Sequence, residues 1–154
     1  DRSPSRGLGD VYKRQGYTST EADPRGIEAD GNLDGDYSDH LRQSDFTVEN
    51  MTIVNNAANT TDNVDRMQDV IKIRRGAKAT ITNAFVKGSG GTIDLIDMND
   101  SKGAGNAASS ISITHTLNFK NKLNGTLNTF TEPTTNTGAD ASLFTWSGYN
   151  FSSL

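Results

Sequence analysis

The stretch that most constrains this chain is Val70 to Gly91, VIKIRRGAKATITNAFVKGSGG. Val70 to Arg75 alternates with a period of two, Ile71 and Ile73 to one side and Lys72 and Arg74 to the other, as a strand with one buried face requires. Gly76 breaks the run. A second alternation sets Ala79, Ile81 and Asn83 against Thr80 and Thr82. The phase then slips and turns Ala84 and Val86 inward before Gly88-Ser89-Gly90-Gly91. The next strand, Thr92 to Asp97, restarts 22 residues after the first, counted from Ile71 to Ile93. A strand, turn, strand, turn unit of that length suits one flat coil of a parallel β-helix.

The flanking segments read as imperfect copies. Gly26-Ile27-Glu28-Ala29-Asp30 aligns with Val70-Ile71-Lys72-Ile73-Arg74 and then with Thr92-Ile93-Asp94-Leu95-Ile96. For the second strand, Phe46 to Met51 aligns with Ala79 to Ala84, and Ser110 to His115 is a weaker third member. The register anchors there are Val48, Ile81 and Ile113, spaced 33 and 32 residues apart because polar inserts at 57–69 and 99–109 interrupt two coils.

Stacked coils place equivalent residues roughly 4.8 Å apart. The alignment therefore predicts inner rows of Ile27, Ile71 and Ile93 and of Ala29, Ile73 and Leu95. Outside, it predicts a charge ladder of Glu28, Lys72 and Asp94, with Asp30 beside Arg74. Asn50 and Asn83, equivalent positions at a corner, predict a short asparagine stack. The expected fold is all-β, a right-handed parallel β-helix of about three coils over residues 16–124. Residues 125–154 follow as a polar linker and an aromatic C-terminal cap.

Residues 1–15, DRSPSRGLGDVYKRQ, are read separately. DVYKRQ (Asp10 to Gln15) matches the translation of a transposase sequencing adaptor over six consecutive residues, so this segment is expected to be an artefact rather than a genuine basic tail, with the natural protein extending upstream of Gly16. Without it, 11 basic residues face 17 acidic ones, a net charge of −6. Only Arg74, Arg75 and Lys78 then form a basic cluster, which disfavours nucleic acid as a partner. The chain has no cysteine, excluding disulfides and thiolate metal sites, and no apolar run long enough to cross a membrane.

Several residues are candidates for chemistry. Asp30, Asn32, Asp34 and Asp36 repeat the alternate oxygen ligands of a calcium loop, with Gly35 at its sharp turn. Leu41 stands where the bidentate glutamate belongs, which rejects a true EF-hand; Asp39 is a substitute ligand, and Asp30 is also claimed by Arg74. Asp94, Asp97 and Asp100, with Arg74 or Arg75, are the carboxylates and bases available to a glycosidase or lyase; as ladder and turn residues they need no such role. His40 and His115 are isolated. Leu143, Phe144, Trp146, Tyr149 and Phe151 arrive where the repeats run out, so the cluster reads as the cap of the last hydrophobic layer. Trp146 and Tyr149 alternatively offer aromatic faces to sugar rings.

DPRGIEADGN (Asp23 to Asn32), FTVENMTIVNN (Phe46 to Asn56) and IKIRRGAKATITNAFV (Ile71 to Val86) resemble the last coils of secreted or surface-attached bacterial proteins with a pectate-lyase-like right-handed β-helix. The resemblance implies an exported parent longer than this chain, and it brings no catalytic residues. The expected function is a non-catalytic cell-surface scaffold or binding module, with extracellular polysaccharide as partner and calcium as the one cofactor in question. The alternatives are a polysaccharide lyase or glycoside hydrolase with its active site on upstream coils, and an adhesin-type protein-binding repeat.

Overall fold

A computed structural model describes residues 25–32, 43–56, 67–90 and 92–151, with Thr92 and Ile93 described in backbone alone. The alternating segments form β1 (Ile27–Asp30), β2 (Asp45–Glu49), β3 (Thr52–Asn55), β4 (Met67–Arg74) and β5 (Lys78–Gly88). β6 (Thr92–Asp97), β7 (Ser110–His115), β8 (Asn121–Asn124) and β9 (Thr129–Thr131) follow. Each strand pairs with its equivalent one coil away, always in parallel. One sheet runs β1-β4-β6-β8 and the other β2-β5-β7-β9, with β3 also on β5. This is an all-β parallel β-helix. β8 and β9 add a short fourth rung to the three that the repeats mark.

β5 serves two faces of its coil. Its first half pairs with β2 and its second half with β3, and the bend falls at Asn83, whose φ is 50°. The apolar phase slip in the sequence is this corner: Ala79 and Ile81 face the core before it, Ala84 and Val86 after it, all four buried. The corner between β4 and β5 is made by Arg75 and Gly76, also at positive φ.

The registers of β1 on β4 and of β2 on β5 are the aligned ones: Ile27 opposite Ile71, Asp30 opposite Arg74, Val48 opposite Ile81. The other two differ. β6 sits on β4 with Ile71 opposite Ile96 and Lys72 opposite Asp97, not with Ile71 opposite Ile93. The reason is a shared break in alternation. In Asp69-Val70-Ile71-Lys72 and in Asp94-Leu95-Ile96-Asp97, two consecutive apolar residues are fully buried between two polar ones, and only this register pairs the two breaks. On β7, Ile111 faces Ile81 and Ile113 faces Ala84, so the expected Ile81–Ile113 pair is replaced across a bulge. The slip from the aligned register is two residues before the bulge and three after it, and the extra residue of β5 falls at the asparagine corner between Ile81 and Ala84.

The core is the stacked interior of these rows, among them Ile71, Ile73, Ile81, Leu95, Ile96 and Ile113, all at or below 1% exposure. Each such side chain contributes roughly 1.5–3 kcal/mol by leaving water. Toward the last rung, Phe119, Leu123, Leu127 and Phe130 pack against this core. The aromatic segment does not serve as the cap expected of it. Ala141–Ser147 is a short 3₁₀ segment with no buried residue, and Leu143 and Trp146 are 64% and 82% exposed.

The tail goes elsewhere because the polar stretch before it is a strap. The Thr114 hydroxyl donates to the Pro133 carbonyl, and Asn136 Nδ2 donates to the Ser112 hydroxyl (3.2 Å) and the Ala84 carbonyl (3.3 Å). The Thr137 N–H donates to Asn83 Oδ1 (2.9 Å) and the Ala139 N–H to Thr52 Oγ1 (3.0 Å). The chain thus passes from β7 across β5 to β3, back toward the first rung.

Candidate functional site

Because Val70 and Ile71 are both buried, Asp69 and Lys72 emerge on the same outer side of β4, and Asp94 and Asp97 do so on β6. Asp69, Asp94 and Asp97 each offer a carboxylate oxygen, all within 4.8 Å of one another, and all three residues are buried. Lys72 donates from Nζ to Asp97 Oδ2 and lies 4.0 Å from Asp69 Oδ2. Arg25 Nε reaches Asp69 Oδ2 at 3.2 Å. The fourth rung completes the cluster: Asn121 Nδ2 donates to Asp94 Oδ1 (2.6 Å) and Asn124 Nδ2 to Asp97 Oδ1 (3.1 Å). Three carboxylates therefore share two cations and two amides. Burial pushes the Asp69 carboxyl above its ordinary range. Lys72 and Arg25 pull it back, while neighbouring Asp97 adds to the rise.

Lys72 and Arg25 already supply cationic charge to this donor set. A divalent ion seated among the three carboxylates would meet the Lys72 ammonium, so the residues as arranged do not fit a calcium cage. Their geometry is that of a buried ion network.

The structure separates the other candidates. Glu28 and Asp30 both meet Arg74, at 2.7 Å from its Nη2 to Glu28 Oε1 and through its Nε to Asp30 Oδ1. Asp94 is not part of the row of Glu28 and Lys72; it faces Asp69, and Asp97 takes the position beside Lys72. Asp100 accepts from Arg74 and Arg75 at 3.4 Å each, away from Asp94 and Asp97. The Lys102 N–H, then Arg75 and Arg74, hold its carboxyl below the usual range. Asn83 Nδ2 donates to Asn50 Oδ1 at 2.8 Å, and a second asparagine pair, Asn99 to Asn124 at 2.8 Å, stands at another corner.

Of the proposed calcium loop, Asp30 lies in the Arg74 ion pair and the Asn32 N–H donates to Gln43. Asp34 and Asp36 lie outside the described residues, as do Asp39 and His40. His115 is not isolated. Its Nδ1 lies 2.9 Å from the Leu117 carbonyl, its Nε2 2.8 Å from Glu132 Oε1, and Lys122 Nζ meets the same oxygen at 2.8 Å.

Trp146 and Tyr149 are carried on the tail beyond the strap. Tyr149 packs edge-on to Phe151 (4.9 Å between ring centroids), which also touches Phe144 (5.6 Å). This small aromatic cluster leaves the Trp146 indole in solvent. Asp69 is the residue that reasoning from the sequence passed over. The recurring acid-apolar-apolar-polar run at Asp69 and Asp94 was the signal that would have found it.

Stacked parallel strands with charged and asparagine rows along the outside define a β-helical solenoid. No described helix is long and apolar enough to cross a membrane. The chain belongs to the pectate-lyase like β-helix domain family, which matches residues 8–149. No curated protein and no solved structure matched it.

Proposed function

We propose that this chain is a non-catalytic, extracellular β-helical module that binds glycans through the aromatic face of its C-terminal tail. The observation that carries the reading is the exposure of Trp146, 82%, on a segment that the strap ties to the coils. A flat indole held in water is a ready stacking surface for a sugar ring, and Tyr149, three residues further along the same tail, adds a second aromatic ring. Kinship with pectate-lyase like domains is consistent with a carbohydrate partner.

Trp146 is the single tryptophan of the chain, so its fluorescence reports this site alone. Titration with a panel of neutral and acidic polysaccharides should quench or shift that emission saturably, and Trp146→Ala should abolish binding measured by calorimetry. Binding that survives Trp146→Ala would refute the site.

A second reading, hydrolysis or lyase cleavage, is favoured by the convergence of Asp69, Asp94 and Asp97 on Lys72. Against it, the cluster is buried and internally paired. New reducing ends or unsaturated products from the same panel, lost in Asp94→Asn, would establish it over the binding reading.

A further inference from the structure

We infer that Lys72 and Asp97 condense into an isopeptide bond, a covalent link between β4 and β6 that the folded chain makes from its own residues. The two stand directly opposite on adjacent strands, 8% and 7% exposed, and the lysine Nζ donates to Asp97 Oδ2. An amine and a carboxyl held together in this way react as neighbours within one molecule, which raises their effective concentration by many orders of magnitude. Burial adds to this, because little water is left to solvate the two groups as ions.

The surrounding groups stand where such a condensation needs them. Asp97 Oδ1 accepts from the Asn99 N–H (2.9 Å) and from Asn124 Nδ2 (3.1 Å). Both donors are thus aimed at the oxygen on which negative charge develops when nitrogen adds to Cγ. Asp69 Oδ2 lies 4.0 Å from Nζ and is held by Arg25 Nε at 3.2 Å. Burial pushes the Asp69 carboxyl above its ordinary range, which makes it a stronger base than a surface aspartate.

The step balances without a cofactor. Nζ gives one proton to Asp97 Oδ2, and the freed amine lone pair forms the bond to Cγ while the carbonyl π pair moves onto Oδ1. Asp69, whose carboxylate oxygen is within 4.8 Å of that of Asp97, takes a second proton from Nζ and passes it to Oδ2. The pair on Oδ1 returns, the Cγ–Oδ2 bond breaks, and Oδ2 leaves as water. An ammonium and a carboxylate become a neutral amide and one water, with nothing oxidised or reduced. The ion pair of the folded chain is the reactant. Its product ties successive rungs together across the 25 positions that separate the two residues.

Intact-mass spectrometry of the full chain tests this. The folded protein should show a population lighter by one water, which rises during incubation at neutral pH and stops rising when the chain is unfolded in denaturant. Tryptic digestion should give a branched peptide joining Met67–Arg74, uncut at Lys72, to residues 88–102. Lys72→Arg, which keeps a cation but no primary amine, should retain its full mass. Asp69→Asn, verified as folded by circular dichroism, should link at least about a hundredfold more slowly. The mass of the unaltered chain decides the link whether or not that variant folds. Full mass throughout incubation would overturn the inference. So would a deficit of one water without the branched peptide, which marks an aspartyl succinimide instead. A link that forms equally fast in folded Asp69→Asn would overturn the role given to Asp69.

Discussion

Lys72 and Asp97 lie directly opposite one another on adjacent parallel strands, both buried, and the ammonium donates to the carboxylate. Asp69 and Asp94 complete the ring around that bond, and Asn121 and Asn124 close it from the next rung. The consequence is that one lysine neutralises much of the charge of a water-poor acidic cluster.

Removing that lysine should therefore be severe. Lys72→Met is expected to destabilise the fold by about 3–5 kcal/mol, the cost of stranding buried carboxylates. Lys72→Met/Asp97→Leu should recover a large part of it. Chemical denaturation of the two variants checks this; a loss below about 1 kcal/mol for the single substitution would mean that water reaches the cluster freely.

The pH dependence of the cluster has a definite sign. Burial raises the Asp69 pKa above its ordinary 3.8, so in the window above that value the folded chain holds a proton that the unfolded chain has lost. Stability attributable to Asp69 thus falls as pH rises through the window. Asp100 and Glu132 act oppositely. Burial of Glu132 works against its ionisation, yet Lys122 and His115 outweigh it, and both carboxyls are held low and give up stability as pH falls. Unfolding free energy measured for the chain and for Asp69→Asn across acidic pH should differ by a term that declines with rising pH. A difference independent of pH would show that Asp69 is not perturbed.

Gly138 decides where the tail lies. Its φ is +73°, and a Cβ there would stand 2.1 Å from Thr52 Oγ1. Gly138→Ala should release the strap with little effect on the coils, since the strap is held by hydrogen bonds rather than by buried apolar rows. The left-handed cost alone is about 1–2 kcal/mol, enough to accelerate limited proteolysis between Pro133 and Ala141 roughly tenfold. Unchanged cleavage would place the strap's anchorage elsewhere.

The register of β6 can be tested by packing. Ile96 is fully buried in the row of Ile71 and Leu123, so Ile96→Ala should cost about 2–5 kcal/mol, whereas exposed Thr82→Ala should cost under about 0.5 kcal/mol. Thermal melts of the two variants would settle the ordering. Had β6 followed simple alternation from Ile93, Ile96 would face outward and be nearly neutral.

What the sequence determined by itself was everything written in local periodicity. Alternation set the strands and their buried faces, the phase slip at Asn83 marked a corner, and complementary signs at Glu28, Asp30, Lys72 and Arg74 aligned β1 on β4. Those patterns act between neighbours and need no knowledge of the rest of the molecule. Tertiary structure alone decided three other matters. It set β6 three residues away from strict alternation, because pairing the two breaks buries Val70, Ile71, Leu95 and Ile96 together. In doing so it drew Asp69, Asp94 and Asp97 around Lys72, a convergence that depends on register to the residue. It also carried the aromatic tail back toward the first rung and away from the last layer, since the strap is polar and aperiodic. Its course is dictated by which hydroxyls, amides and carbonyls the finished coils present, and those exist only once the coils have stacked.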